Sequence, residues 1–229
     1  MKIHRDLSQG SPEWHQLRAG KITASELDRL VSPLGKVRTG DGPTKYLMEK
    51  VAESWIGTTL PTAEFFDGDQ GRFLEEYARP AFTLETGLDV TEVGFIESDD
   101  GRMGCSPDGL CGDDCGLEIK CGHIETHIGY LLSGIVPPAY VLQVQGSLFV
   151  TGFSQWKFFS FRRGLPPLIL TVEPDDKIQE AIKVAVAEFA SQLDAALDKL
   201  TLLNGGTRPE PFRPSVPQDQ PEFESQMPS

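Results

Sequence analysis

From Asp176 to Leu200, the residues Ile178, Ile182, Ala185, Phe189, Leu193, Ala196 and Leu200 recur at helical spacing, and Gly205 stands just beyond them. That pattern predicts an amphipathic helix docked on the body of the protein. A second helix is predicted from Gly71 to Thr86, with Phe73, Leu74, Tyr77, Ala81 and Phe82 at its apolar positions. Shorter helices are predicted at Ser11-Pro12-Glu13, by a serine cap with proline in the first turn, and at Thr23-Ala24-Ser25-Glu26, by a capping box. Strand-like runs cover Val90 to Ile96, Gly104 to Leu110, Gly116 to Cys121, Trp156 to Phe161 and Leu168 to Val172. Pro137 to Val150 alternates as a strand would, but the prolines at its start favour a helix, and a helix is predicted. Helices before and after these strands predict an α/β layered domain, a central mixed β-sheet flanked by helices, without internal repeats.

Past Asn204 the apolar period stops, and residues 204–229 hold six of the seventeen prolines. A folded body over 1–203 and a proline-rich, flexible tail over 204–229 are expected. Lys plus Arg number 21 and Asp plus Glu 34, a net charge of −13. The tail carries Arg208 and Arg213 against Glu210, Asp219, Glu222 and Glu224, a net −2, which leaves −11 in the body. Such acidity argues against nonspecific coating of nucleic acid, although a local basic patch can still guide a phosphate backbone. The N-terminus lacks a basic segment followed by an apolar run, and no stretch approaches the roughly 20 apolar residues of a membrane span. A cytoplasmic protein with reduced thiols and no membrane partner is expected.

All four cysteines fall in Cys105-Ser-Pro-Asp-Gly-Leu-Cys-Gly-Asp-Asp-Cys-Gly-Leu-Glu-Ile-Lys-Cys121, which raises the question of zinc. The intervening gaps are five, three and five residues, and only the middle one suits a structural zinc pair. If the flanking runs are hairpin strands, Cys111 and Cys115 sit by the turn and Cys105 and Cys121 at the far end. Buried structural thiols are therefore favoured over zinc. The same hairpin has a second chemistry, because alternation turns Glu118 and Lys120 to one face and Leu117, Ile119 and Cys121 to the other. Asp108 can share the face of Glu118 if the register allows. Two carboxylates and a backbone carbonyl form an oxygen cage suited to Mg²⁺, with an ammonium beside it for a water or a developing negative charge. A surface hairpin with an ordinary Glu/Lys pair and an Asp-Gly turn fits the spacing equally well.

The order Ser106-Pro107-Asp108-Gly109 and then Leu117-Glu118-Ile119-Lys120-Cys121 looks like the PD-(D/E)xK nuclease motif. Three more blocks agree: Ser11 to Ser25, Gly71-Arg-Phe-Leu-Glu-Glu-Tyr-Ala-Arg79, and Tyr140-Val-Leu-Gln-Val-Gln145 with Val150-Thr151. From about residue 8 to about residue 200 the chain resembles, block by block, the phage lambda exonuclease family with its YqaJ-like viral recombinase relatives. The resemblance implies a restriction-endonuclease-like core and a Mg²⁺-dependent 5′-to-3′ exonuclease of linear double-stranded DNA, with Mn²⁺ able to substitute for Mg²⁺. Such an enzyme releases 5′-mononucleotides and leaves 3′ single-stranded tails for phage-type recombination. By the same resemblance Asp108 and Glu118 bind the metal with the Ile119 carbonyl, Lys120 is the catalytic lysine, and Glu75 is a further acidic residue. Gln143 helps to position the attacking water, and Arg18, Ser25 and Ser106 receive the 5′-phosphate. The implied assembly is a homotrimeric ring acting on DNA ends in a bacterial host, phage or prophage encoded, with a single-strand annealing protein as partner.

Without the resemblance, Arg18 is a helix C-terminal charge and Ser25 part of a capped turn. Spacing alone puts Tyr140 and Gln143 on one helix face and Gln145 off it. His123 and His127, four apart, lack a third ligand and are expected to be surface or packing residues. The chain departs from the family between the Ser106 block and the glutamines, where it is a few residues shorter. It departs again at Phe65-Phe66-Asp67-Gly68-Asp69-Gln70, just before the Gly71 helix, where the family places a strand-splitting wedge; Phe65 or Phe66 fits that wedge and a place in the core equally well. Lys36, Arg38 and Lys45 could serve a duplex-binding loop or an ordinary solvated one. The rival functions are a PD-(D/E)xK endonuclease, which needs no free end, and a noncatalytic DNA-end-binding module.

Overall fold

The computed structural model describes residues 1–61 and 68–209, with backbone alone over 68–76. The chain opens with β1 (Lys2–His4) and α1 (Pro12–Arg18). The Ser11 hydroxyl accepts the Trp14 N–H at 3.2 Å to cap α1, as the sequence predicts. After β2 (Ile22–Thr23), Ala24–Arg29 is a six-residue stretch of 3₁₀-helix rather than the expected capped α-helix. Its Glu26 carboxylate is held by Lys50 at 3.0 Å and meets the Thr23 hydroxyl at 3.1 Å rather than the Thr23 N–H, which goes to the Tyr46 hydroxyl. The reciprocal bonds of a capping box are thus both diverted.

The small hairpin β3 (Val31–Ser32) and β4 (Lys36–Val37) leads into α2 (Asp41–Ile56), a helix absent from the sequence-based expectations, which put Lys45 in a loop. The reason is its inner face, which buries Lys50 and Glu53 beside Tyr46 and Val51. Next come α3 (Gly68–Thr86), then β5 (Phe95–Glu97), β6 (Met103–Cys105), β7 (Gly109–Leu110) and β8 (Cys115–Lys120). The expected run from 104 to 110 is split into β6 and β7, because Pro107 has no N–H to give and Asp108 turns its own to the Leu117 carbonyl. The chain closes with α4 (Ile124–Ser133), α5 (Pro138–Thr151), β9 (Gln155–Ser160), β10 (Leu168–Val172) and α6 (Asp176–Leu203).

Two four-stranded mixed sheets result, ordered β1-β5-β6-β2 and β10-β9-β8-β7. In the second, β8 and β9 are parallel and are joined through α4 and α5, a βαβ crossover that lays α5 across the sheet. The predicted α/β architecture of mixed sheet and flanking helices is present. Trp156, Phe158, Leu142, Leu148, Ile182 and Phe189 belong to a large core between α5, α6 and the strands. A smaller one joins Ala78 and Phe82 of α3 to Leu117, Ile119 and Phe159. Gly146 lets α5 close on the 3₁₀-helix, since a Cβ there would lie 2.9 Å from Leu27 and 3.2 Å from Ala24. The segment 62–67, with Phe65 and Phe66, and the tail from 210 onward lie outside the described residues.

Candidate active site

Along β8, Leu117 and Ile119 enter the smaller core beneath α3, and Glu118 and Lys120 face α5. Glu118 is only 2% exposed. One of its oxygens, Oε1, receives the Lys120 ammonium at 2.6 Å and the Gln143 amide at 2.6 Å. Tyr140, one turn before Gln143 on α5, sets its ring under the same ammonium, 4.9 Å from its centroid. Gln145 leaves this face, donating to the Glu173 carbonyl and accepting the Asp175 N–H.

Asp108, at the start of the β7–β8 hairpin, accepts the Ile119 N–H on Oδ2 at 2.6 Å. Burial, reinforced by the Glu118 carboxylate, pushes the Asp108 carboxyl up to about 7 against the pull of Lys120, the Ile119 N–H and Arg79. Lys120 is raised as well, and so kept charged: burial disfavours its charge, but Glu118 and Asp108 outweigh burial. Two carboxylates against one ammonium leave one negative charge uncompensated in a confined space. A hard, oxygen-loving cation suits that deficit, and the donors offered are carboxylates rather than thiols. Among the described residues no group of three or more His, Cys, Asp or Glu converges, so the protein side of such a site is sparse.

Two residues before Asp108, Ser106 accepts hydrogen bonds from Arg18 Nη1 at 3.2 Å and from the Trp14 indole at 3.1 Å. The Arg18 guanidinium lies over the Trp14 ring, 4.1 Å from its centroid, and is donating to a hydroxyl rather than to a carboxylate. Burial lowers its basicity, with Glu26, Tyr46 and Glu53 opposing. Ser25 does not join this contact; it is exposed and bonds to Thr23 Oγ1 at 3.3 Å.

Residues 13–154 match the YqaJ-like viral recombinase domain model, well over half of the chain. The chain belongs to the YqaJ-like viral recombinase family. Among solved structures, an alkaline exonuclease from Laribacter hongkongensis is 31% identical with a TM-score of 0.74, covering 85% of this chain and 98% of its own. A structure of the same enzyme in complex with dAMP matches at 30% identity and the same TM-score of 0.74. A phage-related exonuclease from Haemophilus somnus, at 15% identity, TM-score 0.60 and coverage of 79% and 96%, shares the fold. A search of curated proteins found no significant match.

Several residues of this YqaJ-like site carry no role in the sequence-based expectations. Trp14 lies inside the first quoted block, yet only the fold brings its indole to Ser106, 92 positions away. Arg79 lies inside the second; its Nε donates to the Asp108 carbonyl at 3.1 Å and its Nη1 pairs with Glu92 at 3.1 Å. Glu75 precedes Arg79 by four residues in α3, so its backbone position lies on the helix face that meets the Asp108 turn; Glu76 is off that face. The Glu75 side chain is outside the described set.

The four thiols do not gather. Cys111 and Cys115 pair across the hairpin, Cys105 belongs to the large core where burial pushes its thiol up to about 12, and Cys121 lies beyond the end of β8. His127 is a packing residue, buried between the Ser160 hydroxyl at 2.7 Å and the Pro166 carbonyl at 2.9 Å. Arg38 donates to the Val31 carbonyl, while Lys36 and Lys45 are exposed on β4 and α2.

Proposed function

We propose that this protein is a Mg²⁺-dependent 5′-to-3′ exonuclease of linear double-stranded DNA that releases 5′-mononucleotides and leaves a 3′ single-stranded tail. Its family membership and the alkaline exonuclease relative support a nuclease; that relative's complex with dAMP supports a mononucleotide product. The observation that carries the polarity is the two-residue step from Ser106 to Asp108. The step sets a guanidinium and hydroxyl that suit a phosphate next to a carboxylate pair that suits a divalent cation. A terminal phosphate held at the first site leaves the following phosphodiester at the second, as removal of one nucleotide from a 5′ end requires.

Asp108, Glu118 and the Ile119 carbonyl would hold Mg²⁺, with Mn²⁺ able to substitute and Glu75 as a further acidic residue. When bound, the ion polarises the scissile phosphoryl oxygen and acidifies a water. Lys120 and Gln143, both fixed on one oxygen of Glu118, orient that water and offset negative charge developing on phosphorus. Arg18 and Ser106 grip the 5′-phosphate, and Ser25 is assigned to the same pocket by the family resemblance. The reading also includes a homotrimeric ring around the DNA and a single-strand annealing protein that takes over the 3′ tail. Both rest on the family resemblance.

The test is digestion of linear duplex DNA labelled at its 5′ or 3′ end, with Mg²⁺, comparing 5′-phosphate with 5′-hydroxyl ends and wild type with Lys120→Ala. Early release of 5′-terminal mononucleotides, faster from phosphorylated ends and lost in Lys120→Ala, is expected. Cleavage of a covalently closed plasmid would instead make the protein an endonuclease, and no Lys120-dependent digestion in any divalent metal would leave only DNA-end binding.

A further inference from the structure

Behind the Arg18 pocket lies a buried charged network to which the reaction assigns nothing. Lys50, on the inner face of α2 and only 3% exposed, places its ammonium 3.0 Å from Glu26 Oε2 and 3.0 Å from Glu53 Oε2. Burial works against the charge of Glu26, yet Lys50 and the Thr23 hydroxyl hold its carboxyl below the usual range. Each carboxylate also grips backbone or side chains of the pocket wall. Glu53 accepts the Gly20 N–H at 3.1 Å, two residues past Arg18, and the Leu60 N–H at 3.3 Å. Glu26 accepts from the Thr23 hydroxyl at 3.1 Å, the hydroxyl that meets Ser25, and from the Tyr46 hydroxyl at 3.4 Å. Gly20, with φ of 72°, lies so close to α2 that a Cβ would collide with the Ser54 hydroxyl, so the turn after Arg18 is pressed onto the helix that bears Lys50.

The charge count gives the network a consequence. Glu26, Glu49 and Glu53 face Arg29 and Lys50, and Arg29 is committed to Glu49 in a two-pronged contact, reaching Glu26 only at 3.6 Å. The group is therefore one negative charge in excess, and Arg18 is the nearby cation that feels both Glu26 and Glu53. Without the Lys50 ammonium the excess doubles, and with Arg29 held by Glu49 the guanidinium left to answer it is that of Arg18, now directed at Ser106.

We infer that Lys50 is a positioning residue for 5′-phosphate selection: by occupying Glu26 and Glu53 it keeps Arg18 directed at Ser106 and free for the terminal phosphate. This rests on the proposed exonuclease reading of the Arg18 pocket. The network confers selectivity at the substrate end, and the carboxylate pair that performs the chemistry does not touch it.

The experiment measures initial rates on matched duplexes with 5′-phosphate and 5′-hydroxyl ends for wild type, Lys50→Met, Lys50→Arg and the double variant Lys50→Met with Glu26→Gln. Lys50→Met is expected to lower the phosphate-to-hydroxyl rate ratio about tenfold or more, the size of one lost charge-assisted contact to an anion. Lys50→Arg restores it, and so does Glu26→Gln in the Lys50→Met background, because the carboxylate that recruits Arg18 is gone. A purely structural lysine would lower both rates alike and leave the ratio alone. If wild type shows no phosphate preference, the pocket reading fails and this inference falls with it. If wild type prefers phosphate and folded Lys50→Met prefers it equally, the inference alone is overturned. Should Lys50→Met not fold, Lys50→Gln removes the charge while keeping an amide that can donate to Glu26 and Glu53; an unchanged ratio in it overturns the inference, and a reduced one supports it.

Discussion

Arg79 reaches Asp108 through the backbone: its Nε donates to the Asp108 carbonyl at 3.1 Å, while the Asp108 carboxylate takes the Ile119 N–H at 2.6 Å. The turn that presents this carboxylate is thus clamped from α3 on one side and from β8 on the other. Arg79→Ala releases one clamp without removing a proposed ligand. The Mg²⁺ concentration for half-maximal activity is expected to rise about 10-fold to 100-fold, as for other residues that support a ligand from behind. Calorimetric titration of Mg²⁺ into the DNA-free protein should show the same weakening.

Lys120 and Gln143 share one oxygen of Glu118 but differ in charge, so their losses should differ in size. Lys120→Ala is expected to lower kcat about 10²-fold to 10⁴-fold, the range for a positioned proton-handling group. Gln143→Ala removes one hydrogen bond to a charged group and is expected to cost about 10-fold to 100-fold. Saturating linear duplex with single-turnover sampling reads both, and an unchanged DNA-binding constant separates chemistry from binding.

The Asp108 carboxyl, raised to about 7 by burial and by Glu118, makes a signed prediction for the metal-free protein. A folded-state value above the unfolded one means that the native state binds the extra proton. The stability this gives is fully present below the unfolded value, roughly 3.9, and is lost as pH rises through about 7. Melting temperatures in chelator from pH 4 to 8 should therefore fall more steeply for wild type than for Asp108→Asn. Added Mg²⁺ should flatten the difference, because the cation favours the ionised carboxylate.

His127 joins α4 to the end of β9 and to the chain before β10 through Ser160 and the Pro166 carbonyl. His127→Ala leaves a buried hydroxyl and a carbonyl without their partner and is expected to cost about 1 to 3 kcal/mol of stability. Urea denaturation measures this, and metal content by mass spectrometry should be the same in variant and wild type.

The strand carrying Glu118 and Lys120 was legible because its period of two separates a charged pair from Leu117 and Ile119, whatever the surrounding fold. The long helix α6 was legible for the corresponding reason at period 3.6. The helix α2 was not, since its inner face is half ionic: Lys50 and Glu53 look solvent-exposed in a sequence and are buried only because they satisfy each other. The box from Thr23 to Glu26 misled in the same way, its partners being taken by α2. The meetings of Trp14 with Ser106 and of Arg79 with Asp108 have no local signal, because they depend on which strands pair.

The Trp14 to Ser106 contact spans 92 positions, and the Glu118 to Gln143 contact follows later still. A ribosome releasing this chain therefore delivers Trp14 and Arg18 first, Ser106 and the two carboxylates together about ninety to a hundred residues later, and the amide that joins them last. No nascent fragment short of residue 143 holds the proposed set of groups, and β8 has no parallel neighbour until β9 emerges. Synthesis itself thus keeps the proposed groups apart until β9 has left the tunnel.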